Sequence, residues 1–223
     1  MLRNFLLLIN KLLGYIIFFE VVISQFSTHT RLGQHRGIIF DLDGTLVDSQ
    51  LDFALLCRLL GWPEGTAILE HLATLAESEQ QKARHIIEDF ELSAAAKASW
   101  MPGAAALLQL LKQRSVPSAI LTRNTRKATL LCAENLGLEV DLILTRDDCA
   151  AKPDPAGLQH IAAQWQMPCT ELLFVGDYLF DLQTAANAGM PSCLYRNQYN
   201  GHFAASADFV IDHFIELHQL YHR

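Results

Sequence analysis

The residues that could do chemistry begin with two aspartates, Asp41 and Asp43, in the stretch FDLDGT. Carboxylates at this spacing bind cations, and the cation could be a structural calcium ion or a magnesium ion that takes part in a reaction. An EF-hand loop needs glycine at its sixth position, but counting from Asp41 that position is Leu46, and Gly44 comes too early. Residues 37–40 are a short apolar run typical of a buried strand, whereas a helix precedes an EF-hand loop. The sequence therefore disfavours a calcium-binding loop.

Other polar side chains lie where the pattern predicts that strands end or helices begin. They are Thr122, Lys152, Asp177 and Asp181. Each has an ordinary alternative, because an aspartate at a strand end often only caps a helix, and a lone lysine is usually a solvated charge. Their joint occurrence at the ends of successive predicted elements favours a common site.

The elements that would position these residues alternate along the chain. Apolar runs typical of strands cover residues 118–122, 141–145, 171–177, 191–195 and 207–211. Helical patterns lie between them, and two of these end at Gly137 and Gly189. Residues 48–99 have helical periodicity throughout. The pattern predicts an α/β protein with a Rossmann-like parallel sheet flanked by helices, and a small all-helical cap inserted after the first strand.

The carboxyl ends of parallel strands meet at one edge of a sheet, so we expect Asp41, Asp43, Thr122 and Asp177 to line one crevice. Converging carboxylates repel each other unless a cation lies between them. Oxygen ligands without histidine or cysteine fit Mg²⁺, and a lysine with a hydroxyl at the same edge suits a bound phosphate. The residues therefore predict a magnesium site that handles a phosphate ester.

The order of these residues resembles the four motifs of the haloacid dehalogenase superfamily. The matching residues are Asp41-x-Asp43-Gly44-Thr45, then Thr122, then Lys152-Pro153, then Gly176-Asp177-x-x-x-Asp181. The likeness is closest to phosphatase-like members with a helical cap after the first motif, including phosphoglycolate phosphatase-like proteins, and covers residue 37 to about residue 212. The helical insert is short for that family, and Tyr178 replaces the small polar residue often found there.

The resemblance implies a Mg²⁺-dependent phosphatase that works through an aspartyl-phosphate. Asp41 would attack phosphorus, and Asp43 would protonate the leaving alcohol and then activate water. The Asp41 carboxylate, the Asp43 backbone carbonyl and Asp177 would hold the metal, with Asp181 supporting them. The expected partner is a small phosphorylated metabolite.

The resemblance also implies residues that hold the phosphoryl group. Thr122 and Lys152 would bind its oxygens, and Lys152 would offset charge beside Asp41. Gly44 and Asn124 would add further donors.

Three other functions compete with phosphate ester hydrolysis. Dehalogenation is disfavoured because that branch lacks the second aspartate of the first motif, here Asp43. A phosphomutase would use the same residues and differ in how its cap favours a sugar phosphate over water. A catalytically silent interaction module should have lost some of these groups, and none is lost.

The amino-acid composition restricts the classes of partner that the protein can bind. The 223 residues carry a net charge of −7 with pI near 5.7, which gives no sign of a nucleic-acid-binding face. The five cysteines are scattered, which favours reduced thiols and a cytoplasmic location. The predicted cap, residues 48–99, has nine acidic and four basic residues, and this net charge of −5 weakly disfavours a substrate with a second anionic group. The sequence leaves the oligomeric state open.

The N-terminal segment, residues 1–36, contains a long apolar run at residues 5–26 that includes Lys11 and Glu20. Both charges oppose a membrane span, and a small-residue cleavage site typical of a secretory signal is missing. Membrane contact through this run stays an alternative. We expect instead that the segment is not part of the working protein, that the core begins at Arg36, and that a chain starting near Gln34 is fully active.

Overall fold

The computed structural model describes residues 32–222. Within them six parallel strands form one sheet in the order β5-β4-β1-β6-β7-β8, and two short antiparallel strands, β2 and β3, form a ribbon beside it. The strands are β1 (Gly37–Phe40), β2 (Val47–Asp48), β3 (Ser99–Trp100), β4 (Ser118–Leu121), β5 (Leu142–Leu144), β6 (Leu172–Gly176), β7 (Ser192–Tyr195) and β8 (Phe209–Ile211). The predicted parallel sheet is confirmed.

Helices cover both faces of this sheet. They are α1 (Phe53–Leu60), α2 (Ile68–Thr74), α3 (Glu77–Ala95), α4 (Ala104–Gln113), α5 (Arg126–Leu136), α6 (Ala156–Gln164), α7 (Leu179–Ala188) and α8 (Ile215–His222), with short 3₁₀ helices at Cys169–Glu171 and Gly201–Ser206. The two faces are built by alternation along β1. Ile38 and Phe40 pack in one buried cluster with α4 and α8, and Ile39 packs in the other with α6. This places β1 at the centre of the molecule.

Three helices, α1 to α3, form a cap that leaves the core after β2 and returns at β3. Val47 pairs with Trp100 across the ribbon at its base. The cap has a small buried cluster of its own, formed around Leu56, Leu72 and Ile87. The helical cap after the first strand is therefore present as predicted.

The core begins earlier than the sequence suggested. Leu32 is only 3% exposed and belongs to the main buried cluster. The Tyr221 hydroxyl of α8 donates a hydrogen bond of 3.0 Å to the His35 carbonyl. Leu32 and His35 thus contact the core ahead of Arg36, where we expected the core to begin, and an isolated leucine gives no periodic signal in the sequence.

The apolar run at residues 5–26 lies outside the described residues, so the structure bears on none of the interpretations of that run. Among residues 32–222, the helices are too short or too polar to cross a membrane.

Candidate active site

The first loop of the site follows β1. The Asp41 N–H donates to the Val175 carbonyl at 2.8 Å, which continues the pairing of β1 with β6 by one residue. Leu42 then turns into the core at 1% exposure, while Asp41 and Asp43 turn the other way. The alternation expected for residues i and i+2 thus brings both carboxylates to the carboxyl end of the sheet.

Three carboxylates gather at this edge. Oxygen atoms of Asp41, Asp177 and Asp181 all lie within 4.8 Å of one another. The Lys152 ammonium joins them, with Nζ at 2.5 Å from Asp41 Oδ1 and 2.6 Å from Asp181 Oδ1. Lys152 is only 3% exposed, so its charge is held inside the cluster. The structure thus brings Asp41, Lys152, Asp177 and Asp181 together, all of which are candidate site residues from the sequence.

The electrostatics of the cluster follow from burial and crowding. Burial, with repulsion from Asp181 as the second cause, raises the pKa of Asp177 to about 7. Burial also raises the pKa of Asp41, and the Lys152 ammonium opposes that shift. Burial lowers the pKa of Lys152, but attraction from Asp181 and Asp41 outweighs it, and the pKa lies above its usual value. One ammonium therefore faces three crowded carboxyl groups, and a cation between them would relieve their mutual repulsion.

Two glycines make room for these carboxylates. Gly44 has φ of 78°, and a Cβ placed there would lie 2.5 Å from Asp177 Oδ2. A Cβ at Gly176 would overlap the side chain of Asp181. A larger residue at either position would push a carboxylate out of the cluster.

Asp43 lies beside the cluster and has its own partners. Its Oδ2 accepts a hydrogen bond of 2.7 Å from the Asn124 side chain. Burial raises the pKa of Asp43 to about 6, although hydrogen bonds from Ser49 and Asn124 lower it. A carboxyl group with this pKa can give up and take back a proton near neutral pH.

The end of β4 supplies the neutral groups. Thr122 comes two residues after Ile120, which pairs with Phe40 of β1, so it lies alongside the first loop. Its Oγ1 accepts from the Asn124 N–H at 3.2 Å, which leaves the hydroxyl hydrogen free to donate. Thr122 is 3% exposed.

The backbone N–H of Gly44 is not available as the phosphate donor that the sequence suggested. Its N–H donates to the Val47 carbonyl at 2.8 Å, so it is not the open donor for an anion that the motif suggested. The contribution of Gly44 is steric, since it admits Asp177. Asn124 likewise directs its side chain to Asp43.

Several supporting residues were missed from the sequence. The Asn200 amide donates to the Asp177 carbonyl at 2.7 Å and fixes the loop that carries this aspartate. Glu91 of the cap accepts from the Thr125 N–H at 3.1 Å and from Arg146 at 2.5 Å. Glu91 had a signal, because it interrupts the buried stripe of α3 that Ala83, Ile87 and Ala95 otherwise form. Arg123, directly after Thr122, also reaches the cap, where it bonds to Glu70.

Comparison with known proteins identifies the scaffold. The profile described as haloacid dehalogenase-like hydrolase matches residues 57–195, more than half of the chain. The chain belongs to the haloacid dehalogenase-like hydrolase family. The resemblance read from its motifs is thereby confirmed, as is the expectation that the protein is an enzyme of the phosphatase-like branch.

Individual relatives support this family assignment. A haloacid dehalogenase-like hydrolase domain-containing protein of Arabidopsis thaliana is 34% identical over 180 residues, covering 75% of this chain and 72% of its own. A phosphoglycolate phosphatase of Vibrio parahaemolyticus is 29% identical over 212 residues, covering 81% of this chain and 93% of its own. The crystal structure of a predicted phosphoglycolate phosphatase from Haemophilus somnus has a TM-score of 0.68 at 22% identity, covering 84% of this chain and 98% of its own, and shows the same fold.

Proposed function

We propose that the protein is a Mg²⁺-dependent phosphomonoester hydrolase that acts on a small phosphorylated metabolite through an aspartyl-phosphate on Asp41. The observation that carries the proposal is the contact of the buried Lys152 ammonium with Asp41 and Asp181, next to Asp177. An aspartate in a cluster of this kind has a nucleophilic oxygen, a nearby cation and room for a metal. The family match supports a hydrolytic reaction.

The residues fit the first half of the reaction. An Asp41 carboxylate oxygen would attack phosphorus, forming an oxygen–phosphorus bond while the bond to the leaving alcohol breaks. Asp43 would give its proton to that leaving oxygen, which its pKa of about 6 permits. Thr122 would donate its hydroxyl hydrogen to a phosphoryl oxygen, and Lys152 would offset the negative charge that collects there.

In the second half, Asp43 would act in reverse. As a carboxylate it would take a proton from water while that water attacks phosphorus. The bond between phosphorus and the Asp41 oxygen would break, which restores the Asp41 carboxylate and releases inorganic phosphate. Asn124 would hold the Asp43 side chain in one orientation throughout, through the 2.7 Å hydrogen bond.

The donor set fits magnesium. Asp41, Asp177 and Asp181 offer only oxygen atoms, and these converge within 4.8 Å. Burial and then repulsion between the carboxylates raise the pKa of Asp177, and a cation would relieve that repulsion. Asp41 and Asp177 would hold the ion with the Asp43 backbone carbonyl, and Asp181 would support them. When bound, Mg²⁺ would neutralise charge on the phosphoryl oxygens.

The relatives suggest which substrates to try first. Since several curated relatives near 29% identity are phosphoglycolate phosphatases, 2-phosphoglycolate belongs in the first panel, together with neutral alkyl phosphates and p-nitrophenyl phosphate.

The test is release of inorganic phosphate with Mg²⁺ and with a chelator, for the wild type and for Asp41→Asn. We expect Mg²⁺-dependent turnover in the wild type and near-background turnover in Asp41→Asn, since an amide cannot form the phosphoryl-enzyme. Asp212→Asn, a surface aspartate paired with Arg196, is the matched control and should stay active. Acid quenching during turnover should trap a phosphoryl group on wild-type Asp41. Substantial turnover by Asp41→Asn in a preparation free of other phosphatases would contradict the assignment, and an isomerised product without free phosphate would indicate a mutase.

A further inference from the structure

Arg123 links the cap to the phosphate-binding end of β4. It directly follows Thr122, and its Nη2 donates to both carboxylate oxygens of Glu70 on α2, at 2.7 and 2.9 Å. Its Nη1 donates to the Lys152 carbonyl at 2.5 Å, and its guanidinium lies 4.3 Å from the centroid of the Phe180 ring. Arg123 is thus attached to both residues assigned to the phosphoryl group.

Two contacts of this guanidinium come from the core and do not depend on Glu70. The Lys152 carbonyl and the Phe180 ring both belong to the core, so the two contacts persist when the cap carboxylate leaves. Glu70 has a side chain that is 46% exposed, and of the residues described its carboxylate bonds only to Arg123. The guanidinium is therefore a preformed carboxylate site whose present occupant is weakly held.

A simpler explanation is that Glu70 and Arg123 fasten the cap. Partly exposed ion pairs contribute little, with a median of roughly 0–1 kcal/mol. The cap is already fastened by Glu91, whose carboxylate is buried and bonds to Thr125 and Arg146. The pair at Arg123 adds little to that attachment, so its position beside the phosphate site needs another explanation.

The charge of the cap does not oppose a second anion as strongly as its composition suggested. Three of its carboxylates, Glu70, Glu88 and Glu91, are paired with cations of the core. Among the residues described, Arg123 is the cation that both pairs with the cap and bonds to the Lys152 carbonyl.

We propose that Arg123 determines substrate specificity by binding a carboxylate of the substrate, and that Glu70 occupies the guanidinium until that carboxylate replaces it. The preferred substrates are then short phosphate monoesters that carry a carboxylate. This inference rests on the proposed function and adds its substrate class.

The test compares two pairs of substrates that differ in one charge. In the first pair 2-phosphoglycolate is matched with ethyl phosphate, and in the second 3-phosphoglycerate is matched with glycerol 1-phosphate. The readout is the ratio of kcat/KM within each pair. A charged hydrogen bond contributes about 1.5–3 kcal/mol, and displacement of Glu70 offsets roughly 0–1 kcal/mol of it. The wild type should therefore favour the carboxylate in at least one pair by about tenfold.

Variants at Arg123 and at Glu70 should then act in opposite directions. Arg123→Gln should lower the ratio towards one, and Arg123→Lys should give an intermediate ratio because a lysine lacks the planar guanidinium. Glu70→Gln should lower KM for the carboxylate substrate several-fold, because the internal competitor is weakened, with little effect on its neutral counterpart. Glu88→Gln, which removes the exposed pair with Lys127 between cap and core, is the matched control and should change neither substrate.

The outcomes separate the explanations. If Glu70→Gln lowers kcat/KM equally for both members of a pair, Glu70 only fastens the cap and the inference is overturned. A wild type that shows no preference in either pair, or an Arg123→Gln ratio equal to that of the wild type, overturns it too. If the wild type hydrolyses neither the neutral nor the carboxylate esters, the failure lies with the proposed function.

Discussion

Asn124 donates a hydrogen bond of 2.7 Å to the carboxylate of Asp43 and so joins the end of β4 to the loop after β1. The same residue donates its backbone N–H to Thr122. One side chain thereby orients the group assigned to proton transfer. Burial raises the pKa of that carboxyl group, and the hydrogen bond from Asn124 lowers it in part because it favours the ionised form.

The first prediction concerns the pH dependence of the reaction. Asp43 has a pKa of about 6, so its acid form is lost as the pH rises through that value. For ethyl phosphate, kcat/KM should fall about tenfold per pH unit above pH 6, because a poor leaving group needs the proton. Asn124→Ala removes a hydrogen bond that lowers this pKa, so the decline should move to higher pH. Profiles of kcat/KM from roughly pH 5 to 9 measure this.

The substrate also ionises in this pH range, but its ionisation is the same for the wild type and for every variant. Differences between their pH profiles therefore report on the enzyme. Asp43→Asn should lose much more activity on ethyl phosphate than on p-nitrophenyl phosphate, whose leaving group needs little help. Equal losses on both substrates would argue against Asp43 as the leaving-group acid.

The second prediction concerns Gly44. Gly44→Ala places a Cβ at 2.5 Å from the Asp177 carboxylate and strains a residue with φ of 78°. Displacement of Asp177, an assigned metal ligand, should weaken metal binding. We expect at least a ~100-fold loss of Mg²⁺-dependent turnover, which corresponds to about 3 kcal/mol. Gly65→Ala is a close match, because Gly65 has φ of 83° but nothing near its Cβ position. That variant should lose about 1 kcal/mol of stability and keep its activity. Similar turnover in the two variants would show that the approach of Asp177 is unimportant.

The third prediction concerns the cost of crowding carboxylates together without a metal ion. The pKa of Asp177 rises from 3.8 to about 7 on folding, so the folded protein binds the proton more tightly than the unfolded chain. The metal-free protein should therefore lose stability as the pH rises from about 4 to 7, and the full loss should persist above that range. Asp177→Asn should stabilise the metal-free protein at pH ~8 by up to about 4 kcal/mol, because a change of one in pKa is worth about 1.4 kcal/mol.

Urea unfolding with a chelator measures this difference. Mg²⁺ should raise the midpoint of the wild type at pH ~8 and raise that of Asp177→Asn much less, because binding to the folded state alone is stabilising. If Asp177→Asn is no more stable than the metal-free wild type, the Asp177 carboxylate does not destabilise the metal-free protein.

The fourth prediction concerns the start of the core. A chain that begins at residue 31 keeps Leu32, which is 3% exposed, whereas a chain that begins at Gln34 loses it. The shorter chain should be less stable by roughly 1.5–3 kcal/mol, the contribution of one buried leucine. Urea midpoints of the two chains, with Leu32→Ala in the longer chain as a control, measure the difference. Identical midpoints would mean that Leu32 contributes nothing to the core.

The parts of the site that could be predicted are those fixed by strand topology. Asp41, Thr122 and Asp177 each follow a strand, and parallel strands bring their carboxyl ends together whatever the packing details. Lys152 and Asp181 were found because helix start signals lie next to them. Local patterns and one rule of sheet geometry are enough to place these residues, while their roles follow from the family resemblance.

The remaining parts depend on how the cap docks. Glu70 reaches Arg123 across 53 positions of the chain, and Glu91 reaches Arg146 across 55. No periodicity within either segment specifies such a pairing. The hydrogen bond from Gly44 to Val47 was also missed, because a glycine motif shows where the chain turns and does not show which N–H groups remain free.

The ribbon at the base of the cap has a consequence for evolution and engineering. Val47 and Trp100 are paired, so the chain leaves the core and returns to it at almost the same point, and a short turn would suffice to close the gap. In topology the cap is thus a removable insertion. Its removal would nevertheless leave a charge of the core unpaired, because Glu91 of the cap is the carboxylate that the core residues Thr125 and Arg146 bind. A cap transplanted from another protein will fit this core only if it brings an acid at the position of Glu91, or if Arg146 is replaced at the same time.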